Sequence, residues 1–212
     1  MPIIARRTGA AVSECAKTHI AQLKTFPILD TWRNPLTRPI ARHFVHEAWL
    51  KTLKEIDFGY RMSDDAFAGV SCVRYETSDQ NPHAPLILYV HGGAFVAGSA
   101  HTHAAIALAM CHFSGARALG ANYALLPEAH FPRQIEDVDC VYRALRSADP
   151  GGKIVLAADS TGAAIALSAM MRWRDEGLTA PAGAVFLSPC VDGAGASDTH
   201  IALDGQDPLL RS

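Results

Sequence analysis

No C-x-x-C pair, no run of basic residues and no apolar stretch long enough to cross a bilayer occur in this 212-residue chain. Each absence argues against a class of function. The five cysteines, Cys15, Cys72, Cys111, Cys140 and Cys190, are odd in number and far apart. That pattern speaks against a disulfide framework and for buried free thiols in a reducing compartment. Nineteen Lys and Arg against 21 Asp and Glu leave a net charge of −2, so nucleic acid is not an expected partner. The longest apolar runs, such as residues 85–90, are far shorter than the roughly 20 residues a membrane-spanning helix needs. Arg6-Arg7 is not followed by the apolar region of a secretion signal. The expectation is a cytoplasmic chain with no membrane partner. The ten histidines show no clear metal spacing; His101 and His103 come nearest, two apart on a short loop, and neither a metal nor another cofactor is expected. There is no internal repeat and no low-complexity tract.

What is present is a large apolar fraction, 49% of residues, enough for the core of one domain, or one domain with a small cap. After a loose start, residues 13–26 read as a helix with a partial apolar stripe. Pro39 suits the first turn of another helix, whose stripe Val45, Trp49, Leu53 and Ile56 repeats at three- and four-residue steps. Residues 1–57 are therefore read as a helical cap region and 58–212 as the core. In the core, strands at 58–62, 70–76, 86–90, 117–123, 154–158 and 183–187 alternate after the second with helices at 101–113 and 134–147 and with an Ala-rich helix ending near Gly177. Apolar strands alternating with helices call for an α/β fold, a mostly parallel sheet covered on both faces.

The chain is organised around Ile154 to Ala163. Five apolar residues run into Ala158-Asp159-Ser160-Thr161-Gly162, and then into the Ala-rich helix. A strand, a tight turn with small residues two before and two after a serine, and a helix form the context of a nucleophile elbow. Taken alone, Ser160 is equally readable as the N-cap of that helix. Upstream, Leu86 to Val90 runs into His91-Gly92-Gly93-Ala94-Phe95. Glycines directly after a buried strand free backbone amides of the kind that stabilise a tetrahedral oxyanion. The two motifs together favour chemistry over capping.

In these motifs the chain resembles the hormone-sensitive-lipase-like family of α/β-hydrolases. The family's H-G-G-[GA]-[FW] motif stands at His91 to Phe95, its Y-R-L-A-P-E…F-P segment at Tyr123 to Pro132, its G-D-S-A-G-G elbow at Ala158 to Ala163, its L-S-P-W-x-D stretch at Leu187 to Asp192, and its late D-P at Asp207-Pro208. The resemblance implies an α/β-hydrolase fold with an N-terminal helical cap. It implies Ser160 as nucleophile and the amides of Gly92, Gly93 and Thr161 as oxyanion hole, with His91, Asp159 and Glu128 in support. It also implies hydrolysis of short-chain carboxylic esters through an acyl-enzyme, and a small ester or carboxylic ligand as partner.

The sequence departs from the family in two ways. Thr161, Ala158, Ala163, Ala124 and Cys190 replace family residues, and the chain ends at Ser212 before the family's last two strands, which bring the catalytic Asp and His. His101, His103 and His200 can approach the site, although nothing in their spacing demands it. Three readings stay open: an esterase-family chain, truncated and weakened or inactive; an esterase that takes its acid and base from a second chain or from its own tail; and a non-catalytic small-molecule-binding module of the same fold. In each, the strand at 183–187 is an apolar sheet edge, expected to be covered by residues 190–212 or paired in a homo-oligomer.

Overall fold

The computed structural model describes residues 34–81 and 83–193, with Glu14, Lys17, Trp32, Ser197 and Asp198. The chain divides into two compact units, Met1–Ala41 with Ala194–Ser212, and Arg42–Gly193. Of the helix expected at 13–26 only Glu14 and Lys17 are described, both helical and joined by an ion pair at 2.7 Å. Any covering of the last strand by residues beyond Gly193 lies outside the described residues. So do Cys15 and His200.

In the first unit, Asn34 turns the chain into a helix. Its carbonyl accepts the N–H groups of Thr37 and Arg38 at 3.2 and 3.0 Å. Its side-chain oxygen accepts that of Leu36 at 2.9 Å, as a capping residue does for donors that have no partner in the helix. Helix α1 (Arg38–Leu50) follows and continues into the second unit. The stripe expected to form one helix through Ile56 tightens instead into a 3-10 turn at Lys51–Glu55. Val45, Trp49, Leu53 and Ile56 nonetheless end half-buried on one side.

The second unit is built on a six-stranded sheet in the order β1-β2-β4-β3-β5-β6. The strands are β1 (Tyr60–Phe67), β2 (Val70–Thr77), β3 (Leu86–Val90), β4 (Arg117–Ala121), β5 (Ile154–Asp159) and β6 (Gly183–Leu187). β1 and β2 are antiparallel, and β3 to β6 run parallel. β1 is longer than the short strand expected near 58–62. It forms a hairpin with β2 across Ala68 and Gly69, which take φ of 50° and 82°. Two left-handed residues are what a two-residue hairpin turn requires. Exposed polar residues such as Arg61, Ser63 and Asp64 hide this strand from an apolar-run reading.

Helices α2 (Ala104–Ser114), α3 (Arg133–Ala148) and α4 (Ser160–Asp175) supply the crossovers. Side chains of the parallel strands alternate between two apolar layers. Leu88, Val90, Leu119, Leu156 and Ala158 face α3 and α4. Ile87, Tyr89, Ala118 and Ala157 face α2 and the 3-10 turn. Both faces are therefore covered, as the continuous apolar strands require. β6 is the last strand of the sheet among the described residues, and Val185 and Leu187 stand exposed on it, as expected of an edge. Cys72 and Cys111 are buried free thiols, pushed up to about 11 by desolvation. Cys140 is exposed and Cys190 half-exposed, so burial of the thiols is not general. No helix among the described residues is long and apolar enough to cross a membrane.

Candidate active site

The parallel strands place two backbone features side by side. Val90 pairs with Ala158 at the last step of the β3–β5 ladder. His91-Gly92-Gly93 thus leaves the sheet beside Asp159-Ser160. Ser160 takes a φ of 48°, left-handed for a residue with a Cβ, and α4 begins there. Left-handed backbone at a non-glycine residue is uncommon and costs energy. The surroundings hold it in place. A Cβ built on Gly162 would meet the His91 carbonyl oxygen at 2.5 Å, and one on Gly92 would meet Ser160 Cβ at 2.9 Å. The absent side chains let the strand tip and the helix start touch. Gly162→Val is expected to destabilise the chain by about 2–3 kcal/mol. Overpacking costs about 1–3 kcal/mol, here against backbone that has no rotamer to yield, while replacing a helical glycine returns less than about 1 kcal/mol. Urea midpoints read this directly, and an unchanged midpoint contradicts the contact.

The loop opposite is strained in the same sense. Gly93, Ala94 and Phe95 have φ of 122°, 54° and 63°. A Cβ on Gly93 would come within 2.6 Å of the Ala97 carbonyl carbon. Three left-handed residues in a row turn the loop back on itself, with the Gly93 carbonyl accepting from Val96 and Ala97 at 3.1 and 2.9 Å. The amides of Gly93 and Ala94 donate to no acceptor among the described residues. The Thr161 amide is one of the first donors of α4, which have no partner within the helix.

Gly92, expected as an oxyanion donor, is otherwise engaged. Its N–H donates to Asp159 Oδ1 at 2.9 Å, and the Tyr89 hydroxyl donates to the same oxygen at 2.6 Å. Asp159 therefore ties β3, the glycine loop and β5 together. Burial first, and then the neighbouring Asp159 charge, hold the Tyr89 phenol far above its ordinary value, so it stays a donor. Charge-assisted bonds of this kind are about twice as strong as neutral ones.

His91 is fully buried, and its Nδ1 lies 2.7 Å from the Gly92 carbonyl. A carbonyl only accepts, so Nδ1 carries the proton. The ring stacks on Tyr123 at 4.3 Å between centroids, and the Tyr123 hydroxyl donates to the His91 carbonyl at 2.7 Å. His103 approaches the same cluster. Its Nε2 is 3.8 Å from Asp159 Oδ2, and its ring lies against His91 and, edge-on, against Trp49. His101 instead reaches Asp64 at the surface, 3.0 Å away. Glu128 accepts Nη1 and Nη2 of Arg42 at 2.7 and 2.9 Å. Arg42 also donates to the carbonyls of Val96, at 2.7 Å, and Leu126. Arg42, held by Glu128, thus ties the end of the glycine loop to α1. Among the described residues, no group of three His, Cys, Asp or Glu side chains is arranged to hold a metal ion.

The two buried histidines predict acid sensitivity. Desolvation first and then repulsion from His103, against the bond to the Gly92 carbonyl that favours the proton, push His91 down to about 3. Desolvation lowers His103 too, against the pull of Asp159. The unfolded chain takes up these protons near pH 6.5 and the folded chain does not. Stability is whole above about pH 6.5 and falls below it, by up to about 1.4 kcal/mol per pH unit for each histidine. For His91 the loss ends where the folded state itself protonates, near pH 3. Urea midpoints that stay level between about pH 6.5 and pH 5 contradict this.

A cavity of about 430 Å³ runs along α4 from one turn past Ser160. Phe95, Leu126, Ala164 and Ile165 make its wall apolar, and His130 and Gln134 add polar atoms. Sequence reasoning missed Tyr89 and Arg42. A tyrosine in an otherwise apolar strand is the one available signal, because its buried hydroxyl needs a partner.

The comparisons with known proteins agree with this fold. A family model described as the alpha/beta hydrolase fold matches residues 87–211. An acetyl-hydrolase of Streptomyces hygroscopicus is 37% identical over 125 residues, 58% of this chain and 42% of that protein. An esterase of Acinetobacter venetianus is 32% identical over 118 residues, 55% of this chain and 39% of that protein. The crystal structure of a hormone-sensitive lipase from a metagenome library superposes with a TM-score of 0.78 at 27% identity, over 92% of this chain and 64% of that one. The chain spans less than half the length of these two curated relatives. Strand order, elbow and glycine loop concur with the matched segment: the chain belongs to the α/β-hydrolase fold family, in its hormone-sensitive-lipase-like branch.

Proposed function

We propose that this chain carries the nucleophile and oxyanion half of a serine carboxylic ester hydrolase acting on short-chain esters. The observation that carries the reading is the left-handed Ser160 beside a glycine loop whose Gly93 and Ala94 amides have no acceptor among the described residues. Ser160 Oγ attacks the ester carbonyl. The developing oxyanion takes hydrogen bonds from Gly93, Ala94 and Thr161, while the Gly92 amide stays with Asp159. Donors fixed before the reaction need no reorganisation as charge develops, and each is worth roughly 3–4 kcal/mol. The intermediate collapses to an acyl-enzyme with loss of the alcohol, and water releases the acid. The cavity along α4 accommodates the apolar part of the substrate.

Acid and base follow the nucleophile in chain order in this fold, and the curated relatives extend well beyond the matched segment. His103 is not assigned as base, because its near neighbour is Asp159 and not the Ser160 hydroxyl. A second reading, a ligand-binding module without catalysis, rests on the absence of a hydrogen-bonded base at Ser160 among the described residues. Treatment with a fluorophosphonate followed by peptide mapping separates the two. An adduct on Ser160 supports the hydrolase, an adduct on another serine overturns the elbow, and no adduct with retained binding of small carboxylic ligands favours the module. The exposed apolar edge at β6 supports a homo-oligomer paired along that strand. Static light scattering is expected to give a dimer mass, and a monomer at all concentrations contradicts it.

A further inference from the structure

A second cavity, of about 440 Å³, opens at the end of the parallel strands away from the elbow. Leu86, Arg117 and Ile154, the first residues of β3, β4 and β5, line it together with Lys153, Arg74 and Leu145. Register puts most of these on one face. Leu86 is opposite both Arg117 and Ile154, and Arg74 is opposite Leu119, two residues along from Arg117. The Lys153 carbonyl accepts the Leu86 N–H at 2.8 Å, which sets the lysine beside the start of β3. Arg117 and Lys153 therefore flank Leu86 from opposite sides, with the two outer strands about 10 Å apart. Side chains of that length can converge on one group.

The charges do not cancel. Arg74 is paired with Asp65 and lies over the Phe67 ring. Arg117 and Lys153 have no ion pair and no side-chain hydrogen bond among the described residues. Asp149 is the one carboxylate on the rim among the described residues. It folds over its own turn, with its Cγ 2.6 Å from where a Cβ on Gly152 would stand. Two free cations against one anion leave room for a single negative charge. The floor of Leu86, Leu145 and Ile154 is apolar and gives a bare inorganic anion nothing to rest on. The C-terminal end of α3 brings partial negative charge to the opposite wall, which favours the anion on the strand side.

We propose that this cavity is a second ligand site, separate from Ser160, for an amphipathic monocarboxylate. The carboxylate lies between the Arg117 guanidinium and the Lys153 ammonium, and the alkyl or aryl body lies on Leu86, Leu145 and Ile154. The guanidinium fork matches carboxylate geometry. The proposal stands whether or not the chain hydrolyses esters.

The test is calorimetric titration with sodium octanoate, together with amide chemical-shift mapping on isotope-labelled chain. Saturable binding is expected, with shifts centred on residues 86, 117 and 153. Arg117→Gln with Lys153→Gln should weaken it at least about tenfold, as should replacing octanoate by octanol. Both substituted side chains are exposed, and an unchanged circular dichroism spectrum checks that the double variant folds. No binding, shifts confined to residues 93–95 and 160–165, equal affinity in the double variant, or equal affinity for octanol or inorganic phosphate would each overturn the proposal.

Discussion

Replacing Ser160 by alanine is expected to abolish phosphonylation altogether and to reduce hydrolysis of p-nitrophenyl acetate to a residue. A serine hydrolase stripped of a triad member keeps only about 10³–10⁴-fold catalysis over water, from oxyanion donors and binding, and the variant should fall at or below that level. The fold should be spared. Ser160 contributes its backbone carbonyl, which accepts the Cys190 N–H at 2.9 Å, and alanine keeps it. The left-handed φ of 48° costs alanine about what it costs serine. Loss of labelling with an unchanged urea midpoint is thus the expected pair of results. A Ser160→Ala protein that still takes up one phosphonate contradicts the assignment.

Trp173→Ala is expected to cost about 3–5 kcal/mol of stability, the range for emptying a large aromatic site in a core. Trp173 on α4 is 1% exposed and stacks on Tyr142 of α3 at 3.8 Å between centroids. Its Nε1–H donates to Asp139 Oδ1 at 2.7 Å. That carboxylate is itself buried and also accepts Arg143 Nε at 2.8 Å. The alanine variant loses the packing and leaves a buried acceptor short of one donor, which adds to the cavity cost. A loss of this size is a large share of the roughly 5–15 kcal/mol that holds a domain together. Trp173→Phe should fall between, keeping much of the volume and losing the hydrogen bond. Because this pair fixes α4 against α3, and α4 starts at Ser160, the site should suffer with the core. Chemical denaturation gives the number, and a loss under about 1 kcal/mol contradicts this account of the packing.

Much of this was legible in the sequence because it follows from burial. β3 and β5 are apolar on both faces, so they read as continuous runs, and β6 was readable at its observed bounds, Gly183–Leu187. The tight strand–turn–helix at Ser160 was legible because its steric demands fall on neighbouring positions: Gly162 leaves no room for a Cβ against the tip of β3. What was not legible depends on side chains that meet across long stretches of chain. Asp159 and Tyr89 are 70 residues apart, and Arg42 and Glu128 are 86 apart. No local pattern records either pair. The bond from the Gly92 amide to Asp159 was not legible for that reason. Its direction is set by a carboxylate that the sequence offers only as the neighbour of Ser160. β1 escaped full recognition because one side of an edge hairpin faces water and its residues carry little apolar signal.

The most direct measurement is a crystal structure of the phosphonate adduct. The phosphorus is expected on Ser160 Oγ, with its oxygen about 2.7–3.1 Å from the amide nitrogens of Gly93 and Thr161, the spacing an oxyanion hole requires, and the Gly92 amide still on Asp159. An adduct oxygen turned to solvent, or bonded to Gly92 with Asp159 displaced, would contradict the account.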